Sequence, residues 1–199
     1  ATAADQRGFV VDGLAGGLLF QPCGPPAPGK PALMLFDKTP EKALLAGIGE
    51  VRKIMAESDR PLFVEFRGEV AGTAVTARQF QRAIGHVTDC AMAPPVLPAD
   101  LRLMAEGGLP AWRLYATPKA TRLEQRGAKD SQFSAVSMAA PASAGKARSF
   151  TAKPAQSGSA LQLEVTEQVC SDGRSEAAYG ARAVVRVGER RLEGCAARF

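Results

Sequence analysis

Four cysteines, Cys23, Cys90, Cys170 and Cys195, constrain this chain more than any other feature. They form an even set, scattered along the sequence, with no C-x-x-C pair and a single histidine, His86, anywhere. Structural zinc needs four Cys or His ligands in closely spaced pairs, which this spacing does not offer. Two disulfides in an oxidising compartment fit the pattern; four buried thiols in a cytosolic protein are the alternative. The chain begins at Ala1 rather than Met, as expected once a signal peptide has been removed. No lipid-accepting cysteine lies near this end, so an anchor, if the precursor has one, lies upstream of Ala1.

The composition is that of an ordinary globular protein: 199 residues, 46% hydrophobic and 23% charged. No run approaches 18 consecutive apolar residues, so no helix of the chain is expected to span a membrane. The net charge of +5 comes mostly from arginine, 17 against 8 lysines. Spread over this length it speaks to solubility, and Arg190-Arg191 and Lys146/Arg148 are too sparse for nucleic acid.

The first half, residues 1–95, reads β-β-α-β-β. Thr39-Pro40-Glu41 announces a helix, with a hydroxyl at the N-cap, proline at the first position and an acid at the positive end. Leu44, Leu45, Ile48, Val51, Ile54 and Met55 recur at spacings of three and four, the signature of one buried face. Gly47 and Gly49 weaken that helix by about 1 kcal/mol each relative to Ala. Strands are expected at PLFVEFRGEV and, last in this half, at FQRAIGHVTDCA. Three prolines within residues 93–100 then interrupt any element.

Past this boundary, residues 101–199 read as strands alone. LPAWRLYATPKATRLEQRG is a hairpin with Trp112 and Leu114 on one strand and Leu123 on the other. Residues 134–160, rich in Ala, Ser, Gly and Pro, are expected to form one or two short edge strands or a mobile loop. Leu161, Leu163, Val165 and Val169 alternate with Gln162, Glu164, Thr166 and Gln168, the cleanest strand pattern in the chain. RAVVRVGERRLEGCA turns at Gly188-Glu189, a two-residue loop suited to type II′. The expected fold is therefore mainly β: two small barrel- or sandwich-like domains, the first OB-like with one helix, the second antiparallel.

Four cysteines allow three connectivities. Pairing within each half, Cys23–Cys90 and Cys170–Cys195, is favoured because each half reads as its own folding unit. Loop closure gives about 4.4 and about 3.5 kcal/mol for these two crosslinks in the chain-entropy treatment.

Cys170-Ser171-Asp172-Gly173, then Tyr179, then Leu192-Glu193-Gly194-Cys195-Ala196 resemble a group of uncharacterised Gram-negative envelope lipoproteins ending in C-S-D-G-M-S-D…Y…G-C-A. Gly107-Gly108-Leu109-Pro110-Ala111-Trp112 is similar to the G-N-E-P-F-W opening of that family's β-domain. The resemblance covers roughly residues 103–197. Arg174 stands in place of the family's Met, Glu176 in place of its Asp and Ala111 in place of its Phe. The general plan is similar to META/HslJ-type and NlpE-type lipoproteins, which are small periplasmic β-domains. More loosely, Phe20-Gln21-Pro22-Cys23-Gly24 and Val64-Glu65-Phe66-Arg67-Gly68 are similar to NlpE-type and OB-fold lipoprotein modules.

No G-x-S-x-G, H-E-x-x-H or phosphate-binding glycine loop occurs, so no catalytic residue is assigned and no cofactor is expected. GLAGG at residues 13–17 has no following helix. His86 is expected to be a partly buried strand residue hydrogen-bonded to backbone. His86, Cys90 and Met92 together have the soft-ligand chemistry of a copper site, but a disulfide at Cys90 removes that ligand and leaves His86 and Met92. Asp172, Arg174 and Tyr179, in a loop pinned by a disulfide, are candidate binding residues, against the simpler reading of a hydrated turn at Asp172-Gly173. The expected function is that of a non-enzymatic periplasmic envelope protein, lipoprotein-like, binding a protein or small ligand. The implied localisation is the periplasm, with outer-membrane attachment through a lipid anchor alone. The alternative is a soft-metal (copper) handling or envelope-stress sensing protein.

Overall fold

Strands dominate the computed structural model, which describes residues 2–24, 32–108, 111–125, 133–138, 142–154 and 158–199. The chain divides into two compact units, Ala1–Pro95 with Ser171–Gly180, and Val96–Cys170 with Ala181–Phe199. Residues 171–180, read from sequence with the second half, thus cluster with the first.

In the first unit, β1 (Ala4–Asp12), β2 (Leu18–Pro22) and β3 (Leu33–Asp37) form an antiparallel meander. One helix, α1 (Ala43–Ile54), follows, and then the hairpin of β4 (Leu62–Ala71) and β5 (Ala74–Ile84). β3 pairs with β5 in parallel and β4 returns to β1, so five strands close in the order 1-2-3-5-4-1. That closed Greek-key barrel, with its helix between the third and fourth strands, is the OB-like arrangement expected from sequence. Three strands precede the helix rather than two, because the apolar run of residues 32–37 is long enough to pair on both sides. Val10, Phe20, Leu62, Val64, Phe66 and Val75 fill the interior, with Phe20 and Phe66 edge to face at 5.0 Å between centroids.

The entry to α1 departs from the expected cap. A 3-10 turn at Pro40–Lys42 intervenes, with Glu41 (φ 53°) and Lys42 (φ 57°) both left-handed, and the α-helix begins only at Ala43. Its orphan donors are satisfied from further back: Leu44 N–H donates to the Thr39 hydroxyl (3.2 Å) and Leu45 N–H to the Asp37 carboxylate (2.9 Å). Leu44, Gly47, Ile48, Val51 and Met55 are buried, whereas Leu45 lies off the stripe and is exposed. Gly47 has a reason beyond propensity, since a Cβ there would overlap the Phe80 ring.

The second unit contains β6 (Leu103–Gly108), β7 (Ala111–Ala116), β8 (Thr121–Gln125), β9 (Phe133–Met138), β10 (Ala142–Ala144), β11 (Ala147–Pro154), β12 (Leu161–Cys170), β13 (Ala177–Val187) and β14 (Arg190–Arg198). The first four residues of β13 belong to the first unit. Pairing runs β6-β7-β8-β9-β11-β12-β13-β14 and returns from β14 to β6, with β10 added beside β11. Leu103, Trp112, Leu114, Leu123, Leu161, Leu163, Val165, Val185 and Leu192 point to one shared core. Trp112 fits against Gly107 and Gly194, where a Cβ on either would overlap the indole, and its N–H donates to the Glu193 carbonyl (3.2 Å). The hairpin at Gly188-Glu189 forms as expected, with Gly188 at φ 59°. Leu109, Pro110 and residues 139–141 and 155–157 of the small-residue stretch lie outside the described residues.

Both expected disulfides are present: Cys23–Cys90 and Cys170–Cys195, each with 5.6 Å between Cα atoms. Among the described residues no helix is long and apolar enough to cross a membrane.

Candidate functional site

Barrel strands alternate, so the residues of β3 that do not face the core must face outward. Leu33 and Leu35 pair with Phe20 and Leu18 on the inner side, which leaves Met34 and Phe36 on the outer side, both about half exposed. Register extends this outer face into a row. Val11 on β1 pairs with Leu19 on β2, Leu19 with Met34 on β3, and Met34 with Ala74 on β5. Four neighbouring strands thus present four apolar side chains side by side. The next row holds Phe36, Thr76 and Glu69.

Two loops frame these rows. The β1–β2 connection is closed by Gly13 N–H donating to the Gly17 carbonyl (2.7 Å), and Leu14 at its tip is 99% exposed. The β4–β5 turn passes through Gly72 (φ 58°), and its Thr73 carbonyl accepts from Met34 N–H (2.9 Å). Val70 is exposed on the strand leading into that turn. Met34 and Phe36, on the outer side of β3, are two of the seven large hydrophobic side chains left exposed among the described residues. Neighbouring exposed apolar side chains mark a binding surface more often than scattered single residues do. In OB folds the outer face of strands 2 and 3, flanked by these two loops, is where ligands lie. The ion pairs Arg52–Asp12 (3.0 Å) and Arg78–Glu69 (3.5 Å) belong to elements of the same barrel and neutralise their own charges. The chemistry on offer is apolar contact, with ring stacking on Phe36.

The sequence pattern contained a signal for this face. Leu33-Met34-Leu35-Phe36 is apolar without alternation, and a barrel strand with only one face inside must show the other to solvent.

The residues expected to bind are placed differently. Asp172 Oδ1 accepts from the N–H of Arg174 (2.9 Å), the N–H of Ser175 (2.8 Å) and the Ser175 hydroxyl (2.8 Å). Slight burial raises the Asp172 carboxyl, and those hydrogen bonds together with the nearby Arg174 charge outweigh it, so the net shift is downward. With Gly173 at φ 67° this is a self-satisfied turn, and Arg174 points to solvent. Tyr179 is not on that turn; it lies half-buried on β13, in register with Arg82. His86 also departs from expectation. β5 ends at Ile84, and the chain breaks into a turn at Gly85, so His86 is exposed rather than partly buried in a strand. Gly85 still donates its N–H to the Glu176 carbonyl (2.7 Å), one step beyond the Ile84–Ala177 pair, and its own carbonyl accepts from Arg60 (2.8 Å). Met92 is exposed, with its sulfur 3.3 Å from the Thr88 hydroxyl, and Cys90 is committed to its disulfide.

The Cys23–Cys90 bond has a visible structural role. Outward-facing Phe9 and Phe63 meet edge to face at 5.7 Å and are covered by Val87 and Ala93 of the segment after β5. The disulfide holds that segment beside β2, so this part of the outer face is closed while the β2–β3 part stays open.

No protein-family model matches the chain, and neither a curated protein nor a solved structure matches it at a significant level.

Proposed function

We propose that this protein is a non-enzymatic binding module of the periplasmic envelope. The outer β2–β3 face of its first unit takes up a protein or small ligand through apolar contact. The observation behind this reading is the outward row Val11, Leu19, Met34 and Ala74, of which Met34 is exposed and the others partly buried, with exposed Phe36 beside it on the face that OB folds use. Two disulfides support an oxidising compartment. The resemblance of residues 103–197 to envelope lipoproteins supports attachment through a lipid anchor.

The paired substitution Met34→Glu with Phe36→Glu tests it, because both side chains are exposed and their loss leaves the core intact. Binding of the purified 199-residue chain, added without an anchor to washed envelope fractions, should fall to background while the melting temperature stays within a degree or two of the parent. Unchanged retention with an unchanged melting curve would refute the assignment.

A further inference from the structure

A second feature of the first unit is polar, buried and incompletely satisfied. On the outer side of β1, β4, β5 and β13, register places Arg7 opposite Glu65, Glu65 opposite Arg82, and Arg82 opposite Tyr179. The Arg82 Nε–H donates to the Glu65 carboxylate, and Arg7 approaches the other carboxylate oxygen at 3.6 Å while also donating to the Pro94 carbonyl. Two guanidiniums therefore share one carboxylate. The side chains of Arg82 and Glu65 are 6% and 7% exposed. Burial of an excess charge of this kind is costly unless something compensates it.

Arg82 has a nitrogen to spare. Its Nη2 is fully buried with no hydrogen-bond partner. A buried donor without a partner marks the place of a missing one. The backbone is also shaped for this arrangement: the register between β4 and β5 slips between Glu65 and Phe66, so Gln81 is an extra residue and both Gln81 and Arg82 are buried polar side chains. Gln81 donates to Asp5 (3.0 Å), and Arg67 stands opposite Asp5, so the wider patch counts three arginines against two acids. Arg7 and Tyr179, both partly exposed, form its rim towards solvent.

We propose that Arg82, with Arg7 and the Tyr179 rim, is a receptor for a small carboxylate, whose oxygen takes the free Nη2 donor and whose charge balances the second guanidinium. A planar carboxylate suits the fork of a guanidinium better than a spherical ion does. The site is distinct from the apolar β2–β3 face and does not depend on it.

Formate is the probe, offered to the full chain at constant ionic strength. Saturation-transfer NMR should give a saturable formate signal, and 15N-arginine spectra of the same sample should shift the Arg82 resonances with the same midpoint. Arg82→Lys should weaken the signal about tenfold, while Arg113→Gln, on β7 of the second unit, should leave it unchanged. If Arg82→Lys does not fold, the 15N-arginine titration of the parent decides alone. Absence of saturation, unmoved Arg82 resonances, or equal signals from a folded Arg82→Lys variant would overturn the proposal and leave a water molecule as the occupant.

Discussion

Gly47 and Gly49 sit two residues apart on α1 and answer to opposite constraints. Nothing lies within 4 Å of a Cβ built on Gly49, whereas one on Gly47 would enter the Phe80 ring. Gly49→Ala is therefore expected to stabilise the protein by about 0.5–1 kcal/mol, since helix propensity acts unopposed. Gly47→Ala is expected to destabilise it by about 1–3 kcal/mol through overpacking. Denaturant midpoints of the two variants check both signs. Asp172 is a residue-scale case in acid. Its folded carboxyl titrates below the ordinary aspartate range, so the stability it contributes is present above that range and is lost as pH falls through the folded value. Comparing Asp172→Asn with the parent from neutral to strongly acidic pH should show the gap closing in that window; a gap constant with pH would contradict the hydrogen-bond assignment.

At the scale of elements, α1 depends on Asp37 and Thr39, which accept the N–H groups of Leu45 and Leu44 across an intervening turn. Asp37→Ala should cost about 1–2 kcal/mol, and melting curves will show whether it does. This device was only half legible. Thr39-Pro40 signals a helix start in the sequence, but a capping carboxylate six residues before the first helical residue, reached over two left-handed residues, follows no local pattern. The alternation of β12, the β7–β8 hairpin and the Gly188-Glu189 turn were legible because each depends on period or turn chemistry alone. The end of β5 was not, since the Gly85 carbonyl is taken by the Arg60 side chain, 25 positions away, a contact no local pattern reveals. The apolar face was written in the unbroken run of β3, whereas the Arg7–Glu65–Arg82 row needs three registers that no sequence period reveals.

For the whole molecule, the division into two units redistributes the charge. The second unit contains 14 basic and 8 acidic residues and the first 11 and 12, so the surplus belongs to the second. A binding face on the first unit consequently has little electrostatic assistance. Retention on envelope fractions is expected to change little between about 0.1 and about 0.5 M salt, because screening acts on charge and leaves apolar contact in place. A steep fall with salt would move attention to the arginines of β13 and β14.

The claim that the β2–β3 face is the binding surface is tested most directly by site-specific photo-crosslinking in intact envelopes. A photoreactive residue replaces Phe36 in one variant, Arg174 in a second and Gln162 in a third, all three positions being exposed. The account predicts a discrete adduct from position 36, lost when Met34→Glu is added, and none from positions 174 or 162. Adducts from 174 or 162 with none from 36 would contradict it.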